Sequence, residues 1–538
     1  MFCLSATGKT APLFPDCNLN FYAPPARPSR KAVKHARSRQ WLPQREIAAP
    51  RHTKGRFRLQ RTDLLFLVLL TLGALFVHGY HPWAEDSAIY LPGVEKALNP
   101  RLFPFNAQFF ESHGHLTLFP DLIAASVRVT HLPFVYVLFF WQLLSIFLLL
   151  FGCFELARKC LSRRTACYAG TALVAALLTL PIAGTALYIM DQYLNPRNLA
   201  AFAGILAIVF LLDRKYVTTA LLLLFGTVIH PLMTAFAVFF CMLLLCVERF
   251  QSHRVMAASL LPLGFLGLPS NAYHQAAMTH SYHYLTLWHW YEWLGVVGPI
   301  VILWWFSRIA RSTQKRELEL ITRTLVLYQI IFVIAALIVS VPARFESLAR
   351  LQPMRSLYLV YILLFLFGGA LLQEYVLKNR WWRWIVLFLP LCAGMSYAQR
   401  VLFPASAHIE WPGAHTRNPW VQAFEWVRDK TPSDAVFALD PYYMQIPGED
   451  ENSFRAIAQR STLADRVSDA GAVTMFPPMA EEWLAQAQAQ DHWQEFQVQD
   501  FRRLHAQYGL NWVVLQQPGV PTLQCPYQNQ SVKVCRVD

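Results

Sequence analysis

TDLLFLVLLTLGALFVHGYHPWAEDSAIY, residues 62–90, begins with an apolar run at 62–80 and then reaches two adjacent acids, Glu85 and Asp86. An apolar run of about twenty residues matches the hydrocarbon thickness of a bilayer, so it predicts a membrane-spanning helix. The two acids then fall at the membrane surface. Ionisable residues beside lipid are costly and are candidate functional residues, although an ordinary hydrated loop can also be acidic.

The rest of the chain repeats the pattern of this first run. Of the 538 residues, 55% are hydrophobic and only 15% are charged, whereas soluble domains carry nearer a quarter charged residues. We therefore predict a polytopic α-helical membrane protein with about 11 transmembrane helices. The predicted spans are 62–80, 132–155, 166–188, 198–212, 216–229, 231–248, 255–270, 292–308, 322–341, 356–377 and 383–402.

The distribution of basic residues predicts the topology. The net charge of +14 is concentrated in the N-terminal tail and in alternate short loops, which is typical of cytoplasmic loops and argues against nucleic-acid binding. An odd number of spans with a cytoplasmic N-terminus leaves the C-terminus outside. The topology depends on the division at His230-Pro231, because one kinked helix there would invert the topology on one side of it.

Three regions follow from this topology. Residues 1–60 are rich in Pro, Arg and Lys without apolar periodicity and are predicted to be a disordered cytoplasmic tail. Residues 61–402 form the transmembrane core, with a first outer loop at 81–131 that is far longer than ordinary connections. Residues 403–538 alternate predicted helices and strands and indicate an extracytoplasmic α/β domain. In an oxidising compartment Cys525 and Cys535 can form a disulfide.

Unusual polar residues are concentrated in the predicted outer loops. Four arginines there break the positive-inside pattern, which is better tolerated if they face an anion such as a phosphate. These are Arg197, Arg344, Arg350 and Arg355. Further candidate site residues are Tyr90, His113, His115, Asp191, Asn195, His230 and His283. Histidines near aromatic residues can instead be interfacial anchors, and Arg197 can instead contact lipid headgroups.

No metal site is identified, because a histidine pair such as His280 and His283 without a third ligand is weak evidence. A divalent cation remains possible. A carboxylate near arginines suits transfer from a lipid-phosphate donor, since the carboxylate takes a proton from an acceptor hydroxyl and a cation neutralises the leaving phosphate.

The chain resembles the GT-C superfamily of integral-membrane glycosyltransferases over most of residues 60–515. The resemblance rests on the acidic motif at 83–90, the multi-span core and the outer C-terminal α/β domain. The turn at 195–197 (Asn-Pro-Arg) is similar to that of an uncharacterised bacterial branch, as is the opening of the C-terminal domain. That opening contains Trp420, Trp426, Arg428, Thr431 and Pro432.

The resemblance implies a polyprenyl-phosphate-linked sugar donor, an acid of the first loop as general base, and arginines that hold the donor phosphate. On this chain the base corresponds to Asp86 or Glu85, because the family often has Asp-Asp where this chain has Glu-Asp. It also implies a multi-pass protein of the bacterial cytoplasmic membrane with a periplasmic C-terminal domain.

We therefore expect a membrane glycosyltransferase that acts at the outer face on an acceptor that the sequence does not identify. The alternative is a transporter or flippase for a lipid-linked or anionic solute. Such proteins usually have internal repeats or charges within their spans, and neither is evident in this sequence. A non-catalytic membrane scaffold is a third possibility.

Overall fold

The computed structural model describes residues 58–250, 269–340 and 343–537. The predicted tail at 1–60 and the predicted span at 255–270 therefore lie largely outside the described residues. Up to residue 402 the described helices fall in two groups. The first group is α1 Arg61–His78, α2 Ser87–Leu98, α3 Gln108–Gly114, α4 Phe119–Thr130, α5 Phe134–Cys160, α6 Arg164–Ala176, α7 Pro196–Leu212, α8 Tyr216–Ile229 and α9 Pro231–Phe250.

The second group begins after the gap at 251–268. It consists of α10 Asn271–Met278, α11 Trp290–Ser312, α12 Arg316–Ser340, α13 Leu357–Leu372 and α14 Trp381–Leu402. Short 3-10 helices at Ala343–Leu351 and Pro353–Ser356 precede α13, and a π-helical turn at Gln373–Leu377 follows it.

Seven of the described helices are long and apolar enough to cross a membrane, so the chain is an integral membrane protein. They are α1, α5, α9, α11, α12, α13 with its flanking turns, and α14. Helices α7 and α8 are apolar but shorter. The expected count of about 11 is therefore not confirmed. One reason is that α6 ends at Ala176, since Pro181 and Gly184 interrupt the run predicted at 166–188.

Helices α6 and α13 are packed at very short distance. A Cβ atom added to Gly170 would lie 2.3 Å from the carbonyl oxygen of Leu366, and one added to Gly369 would lie 2.6 Å from that of Ala169. Small residues allow this close approach, which is a common way for helices to associate in membranes.

Ion pairs join the basic loops at one end of the helices. Glu248 near the end of α9 contacts Arg214, which precedes α8 (3.1 Å), and Arg316, which begins α12 (3.7 Å). Lys315 contacts Glu374 in the π-helical turn that follows α13 (2.6 Å). Helices α8 and α9 therefore run antiparallel, with His230 at the turn between them at the opposite end.

The C-terminal region contains a five-stranded mixed sheet with strand order β2-β1-β3-β5-β4. Strand β1 is parallel to both of its neighbours, and β5 is antiparallel to both of its own. The strands are β1 Val436–Ala438, β2 Ser461–Thr462, β3 Trp512–Gln516, β4 Tyr527–Gln528 and β5 Val532–Arg536. The helices are α15 Pro419–Lys430, α16 Phe454–Ala458, α17 Ser468–Met475, α18 Ala480–Ala489 and α19 Val498–Tyr508.

A disulfide joins Cys525 to Cys535, and it ties the segment before β4 to the last strand of the sheet.

The C-terminal region is hydrogen-bonded directly to the segment that follows α1. We name residues 81–86 the acidic loop. The backbone N–H of Glu85 donates to the carbonyl of Glu451 (2.9 Å), and the N–H of Ser453 donates to the carbonyl of Trp83 (2.9 Å). Tyr80 also forms a β-bridge with Ile409. The acidic loop and the C-terminal region therefore lie at the same end of the helices.

Candidate active site

The acidic loop holds its two carboxyl groups in different ways. Glu85 has a positive φ of 47°, a conformation that non-glycine residues rarely adopt. Asp86 occupies the N-cap position of α2, yet its side chain makes no capping hydrogen bond. The Asp86 carboxylate is therefore available to other partners.

Those partners come from the turn before α7. Arg197 Nη1 donates to Asp86 Oδ2 (3.0 Å), and Asn195 Nδ2 donates to the same oxygen (3.2 Å). Asn195 also caps α7, because its Oδ1 accepts from the backbone N–H of Arg197 (3.0 Å). The cap fixes the start of α7, and with it the position of the guanidinium.

Arg197 is held on its other edge by Asp191. Its Nε and Nη2 donate to the two carboxylate oxygens of Asp191 at 2.8 and 2.7 Å. The Arg197 side chain is only 4% exposed, whereas that of Asp86 is 36% exposed. Arg197 is thus already paired with two carboxylates, and it serves to hold Asp86 with its remaining oxygen open.

The environments of the two acids separate their pKa values. Burial raises the pKa of Glu85 to about 8, and the nearby charges of Glu451, Asp191 and Asp86 act in the same direction. Burial would also raise the pKa of Asp86, but Arg197, Arg355 and the hydrogen bonds to its carboxylate keep that pKa below its usual value. At neutral pH Asp86 is therefore ionised and Glu85 is protonated.

Asp86 opens into a cavity of about 430 Å³. Its walls come from the acidic loop and α2, from α3 and the turn after it, from the ends of α7, α8 and α9, from the segment after α10 and from the C-terminal region. Site candidates in its lining are Glu85, Asp86, Tyr90, His113, Arg197, His230 and Arg355. These residues span much of the chain, so the cavity gathers most of the separate sequence candidates at one place.

Arg355 is the cation that the cavity leaves least compensated. Its guanidinium acts electrostatically on Asp86 and on Tyr282, yet its buried Nε has no hydrogen-bond partner among the described residues. Arg350, one 3-10 helix earlier, does not line the cavity and acts on Tyr273 instead. The side chain of Arg344 lies outside the described residues.

The structure places some of the candidate histidines in the cavity wall and others outside it. Burial lowers the pKa of His113 to about 4 and that of His230 to about 3, so both imidazoles in the cavity wall are neutral. His280, which also lines the cavity, is lowered to about 4 for the same reason. His115 is exposed away from the cavity, and His283 lines only a small adjoining cavity.

Tyr90 completes this wall, where burial raises the pKa of its phenol and keeps it protonated. No group of three or more His, Cys, Asp or Glu side chains suited to a metal ion occurs within the described ranges.

One wall of the cavity comes from the C-terminal region, and no local sequence pattern predicts it. The lining includes Glu451 and Arg466, together with residues at the start and along one side of α17, which are Val467, Ser468, Gly471, Thr474 and Met475. By contrast, Arg455 is buried in a two-bond ion pair with Asp469 (2.6 and 2.8 Å) and supports the region from within. The lining residues are short polar and apolar side chains whose pattern differs little from that of an ordinary short helix.

No family model and no curated protein matches the chain. Several solved structures are similar to it, among them the two that follow. One is the archaeal oligosaccharyltransferase AglB of Archaeoglobus fulgidus, in complex with an inhibitory peptide and a dolichol-phosphate. It is 11% identical with a TM-score of 0.43, over 84% of this chain and 69% of that one.

The other is the arabinofuranosyltransferase AftD from mycobacteria, which is 13% identical with a TM-score of 0.45. The similarity covers 89% of this chain and 42% of AftD. The solved structures that are similar to this chain thus include two membrane glycosyltransferases of the GT-C superfamily, the superfamily that its acidic motif and architecture resemble.

Proposed function

We propose that the protein is a membrane glycosyltransferase that moves a sugar from a polyprenyl-phosphate donor to an acceptor hydroxyl at the outer face of a bacterial cytoplasmic membrane. The cavity beside Asp86 is the proposed reaction site. Asp86 is the proposed general base, and Arg355 is the proposed ligand of the donor phosphate. Glu85 is proposed to stay protonated beside Asp86.

The proposed step conserves atoms and charge. The acceptor oxygen forms a bond to the anomeric carbon while the bond from that carbon to the phosphate oxygen breaks. The acceptor proton passes to the Asp86 carboxylate, and the bonding electron pair leaves with the phosphate. The phosphate changes from a singly charged diester to a doubly charged monoester, so a nearby guanidinium favours the transition state over the ground state.

The observation that carries the proposal is that Asp86 and Arg355 line the same cavity. Asp86 is ionised, and the guanidinium of Arg355 has unused hydrogen-bonding capacity. Arg197 is bound on both sides by Asp86 and Asp191, which suits it to orient the base. Arg355 retains an unpartnered Nε, and buried donors without a partner are costly unless a ligand satisfies them.

Purified protein in lipid nanodiscs, supplied with a panel of polyprenyl-phosphate sugars and with membrane extract as the source of acceptors, tests the proposal. Release of polyprenyl phosphate is measured by mass spectrometry. We expect Asp86→Asn to lower the rate by roughly 100-fold or more, because general-base catalysis contributes about that much. An Asp86→Asn variant that is folded and as fast as the unmodified protein would refute the role of Asp86.

The chain offers a matched pair of variants for the phosphate ligand. Arg355→Gln removes the guanidinium in the cavity, whereas Arg350→Gln removes one from a neighbouring turn outside it. We expect Arg355→Gln to lose most of the activity and Arg350→Gln to retain it. Equal losses in the two variants would contradict the assignment of Arg355.

A further inference from the structure

His230 is the N-cap residue of α9. Its carbonyl accepts from the backbone N–H of Thr234 (3.1 Å), which is the first hydrogen bond of the helix. Its side-chain Nδ1 accepts from the backbone N–H of Met233 (3.3 Å). Here a ring nitrogen does what an Asn or Ser oxygen does at most N-caps.

The capping bond determines the tautomer of this histidine. A nitrogen that accepts from an N–H must be unprotonated, so Nδ1 carries no hydrogen. The neutral imidazole then has its hydrogen on Nε2, and that nitrogen is a donor. Protonation of the ring at Nδ1 would remove the capping hydrogen bond. The low pKa of His230, which is caused first by burial, agrees with a neutral ring.

The donor nitrogen of His230, Nε2, is available to bind a ligand in the cavity. No described residue is hydrogen-bonded to Nε2, and the ring is part of the cavity lining. The charged and titratable groups that act on the ring are Arg355, Arg197, Asp86 and His113. Arg355 acts on it more strongly than any other of these groups, and the N-terminus of α9 adds a partial positive charge beside it. This side of the cavity therefore favours an anion.

We propose that His230 donates a hydrogen bond from Nε2 to the phosphate of the lipid-linked donor, beside the guanidinium of Arg355. This inference rests on the proposed function and adds a second, uncharged ligand for the leaving phosphate. Because the phosphate gains negative charge as the sugar leaves, the hydrogen bond strengthens on the way to the transition state. His230 is thus expected to raise kcat more than it tightens donor binding.

A second capping histidine provides the control. His289 is the N-cap residue of α11, where its backbone N–H donates to Glu292 Oε2 (2.6 Å), but it is exposed and does not line the cavity. Asn is a strong capping residue, so His230→Asn and His289→Asn both preserve a cap. Only His230→Asn withdraws a donor from the cavity, because the shorter side chain does not reach the position of Nε2.

The experiment compares kcat, KM for the donor, and the thermal unfolding midpoint of the two variants in nanodiscs. We expect His230→Asn to reduce kcat by about 100-fold, as loss of one donor to a developing anion does elsewhere. We expect little change in KM or in the unfolding midpoint, and no kinetic change for His289→Asn. An unaltered kcat in His230→Asn, or a loss that only follows a lowered unfolding midpoint, would overturn the inference.

Failure of the inference is distinguishable from failure of the proposed function. If the unmodified protein transfers sugar and His230→Asn does so equally well, only the role of His230 fails. If the unmodified protein transfers no sugar from any donor, the proposed function fails. Binding of polyprenyl monophosphate, measured by native mass spectrometry, then decides the inference, because His230→Asn must weaken it and equal binding refutes it.

Discussion

At the scale of single residues, the acidic loop assigns different protonation states to two adjacent carboxyl groups. Asp86 receives hydrogen bonds from Arg197 and Asn195, and Arg355 lies close enough to act on it. The carboxyl group of Glu85 receives one hydrogen bond, from the hydroxyl of Tyr193 (3.3 Å), and faces other acids. Environments that push two pKa values apart are how a site obtains one ionised and one neutral acid at the same pH.

This difference predicts a pH dependence. As the pH rises through about 8, Glu85 ionises and places a second negative charge beside the anionic donor, so the rate should fall. Glu85→Gln is neutral at every pH and should lack this decrease. From the pKa of Glu85, the ratio of the rate at pH 9 to that at pH 7 should be roughly tenfold higher in Glu85→Gln.

Initial rates across pH 6–9.5 test the prediction, with His115→Gln as the exposed-residue control. If Glu85→Gln shows the same decrease above pH 8 as the unmodified protein, then Glu85 is not the group that titrates.

At the scale of elements, the contact between α6 and α13 depends on residues without side chains. Gly170→Ala would place a methyl group 2.3 Å from a backbone carbonyl of α13, so one helix has to move. Overpacking of this kind costs about 1–3 kcal/mol. Gly73→Ala in α1 is the matched control, because a Cβ there has no neighbour within 4 Å and alanine favours the helix by roughly 0.5–1 kcal/mol.

Thermal unfolding in detergent should therefore show a lower midpoint for Gly170→Ala and an equal or higher one for Gly73→Ala. A Gly170→Ala variant as stable as the unmodified protein would show that the two helices are not in close contact.

Local sequence patterns predicted the elements better than they predicted the site. The strands at 436–438, 512–516 and 532–536 and the helix at 419–430 follow from short periodic patterns. The end of α6 at Ala176 does not, because the apolar run continues past it. Nor does the contrast between Arg350 and Arg355. Gln352 lies between them with a φ of 46° and redirects the chain, which residue spacing alone cannot reveal.

Only the part of the candidate site that comes from the outer loops could be predicted from the sequence, and the wall from the C-terminal region could not. Asp86, Arg197 and His230 are unusual in a membrane protein by their polar character and position, which makes them predictable from the sequence. Glu451 and the residues of α17 are ordinary in their local context. Their place in the cavity depends on long-range contacts, such as the packing of Gly471 against His280, that no local pattern encodes.

At the scale of the whole molecule, the side of the membrane on which the cavity lies can be tested. The acidic loop and the C-terminal region share backbone hydrogen bonds, and a disulfide as between Cys525 and Cys535 is typical of an oxidising compartment. We expect alkaline phosphatase fused after Asp538 to be active in bacterial cells, because it needs the periplasm to form its disulfides. The same enzyme fused after Arg311 should be inactive. The reverse pattern would place the cavity in the cytoplasm.

The hydrogen bonds between the acidic loop and Glu451 and Ser453 also determine when the cavity is completed during synthesis of the protein. The acidic loop is synthesised directly after α1, whereas the segment that completes the cavity follows much later in the chain. A growing chain therefore carries its acids without the opposite wall. The proposed site is therefore complete only after the C-terminal region has folded back onto the acidic loop.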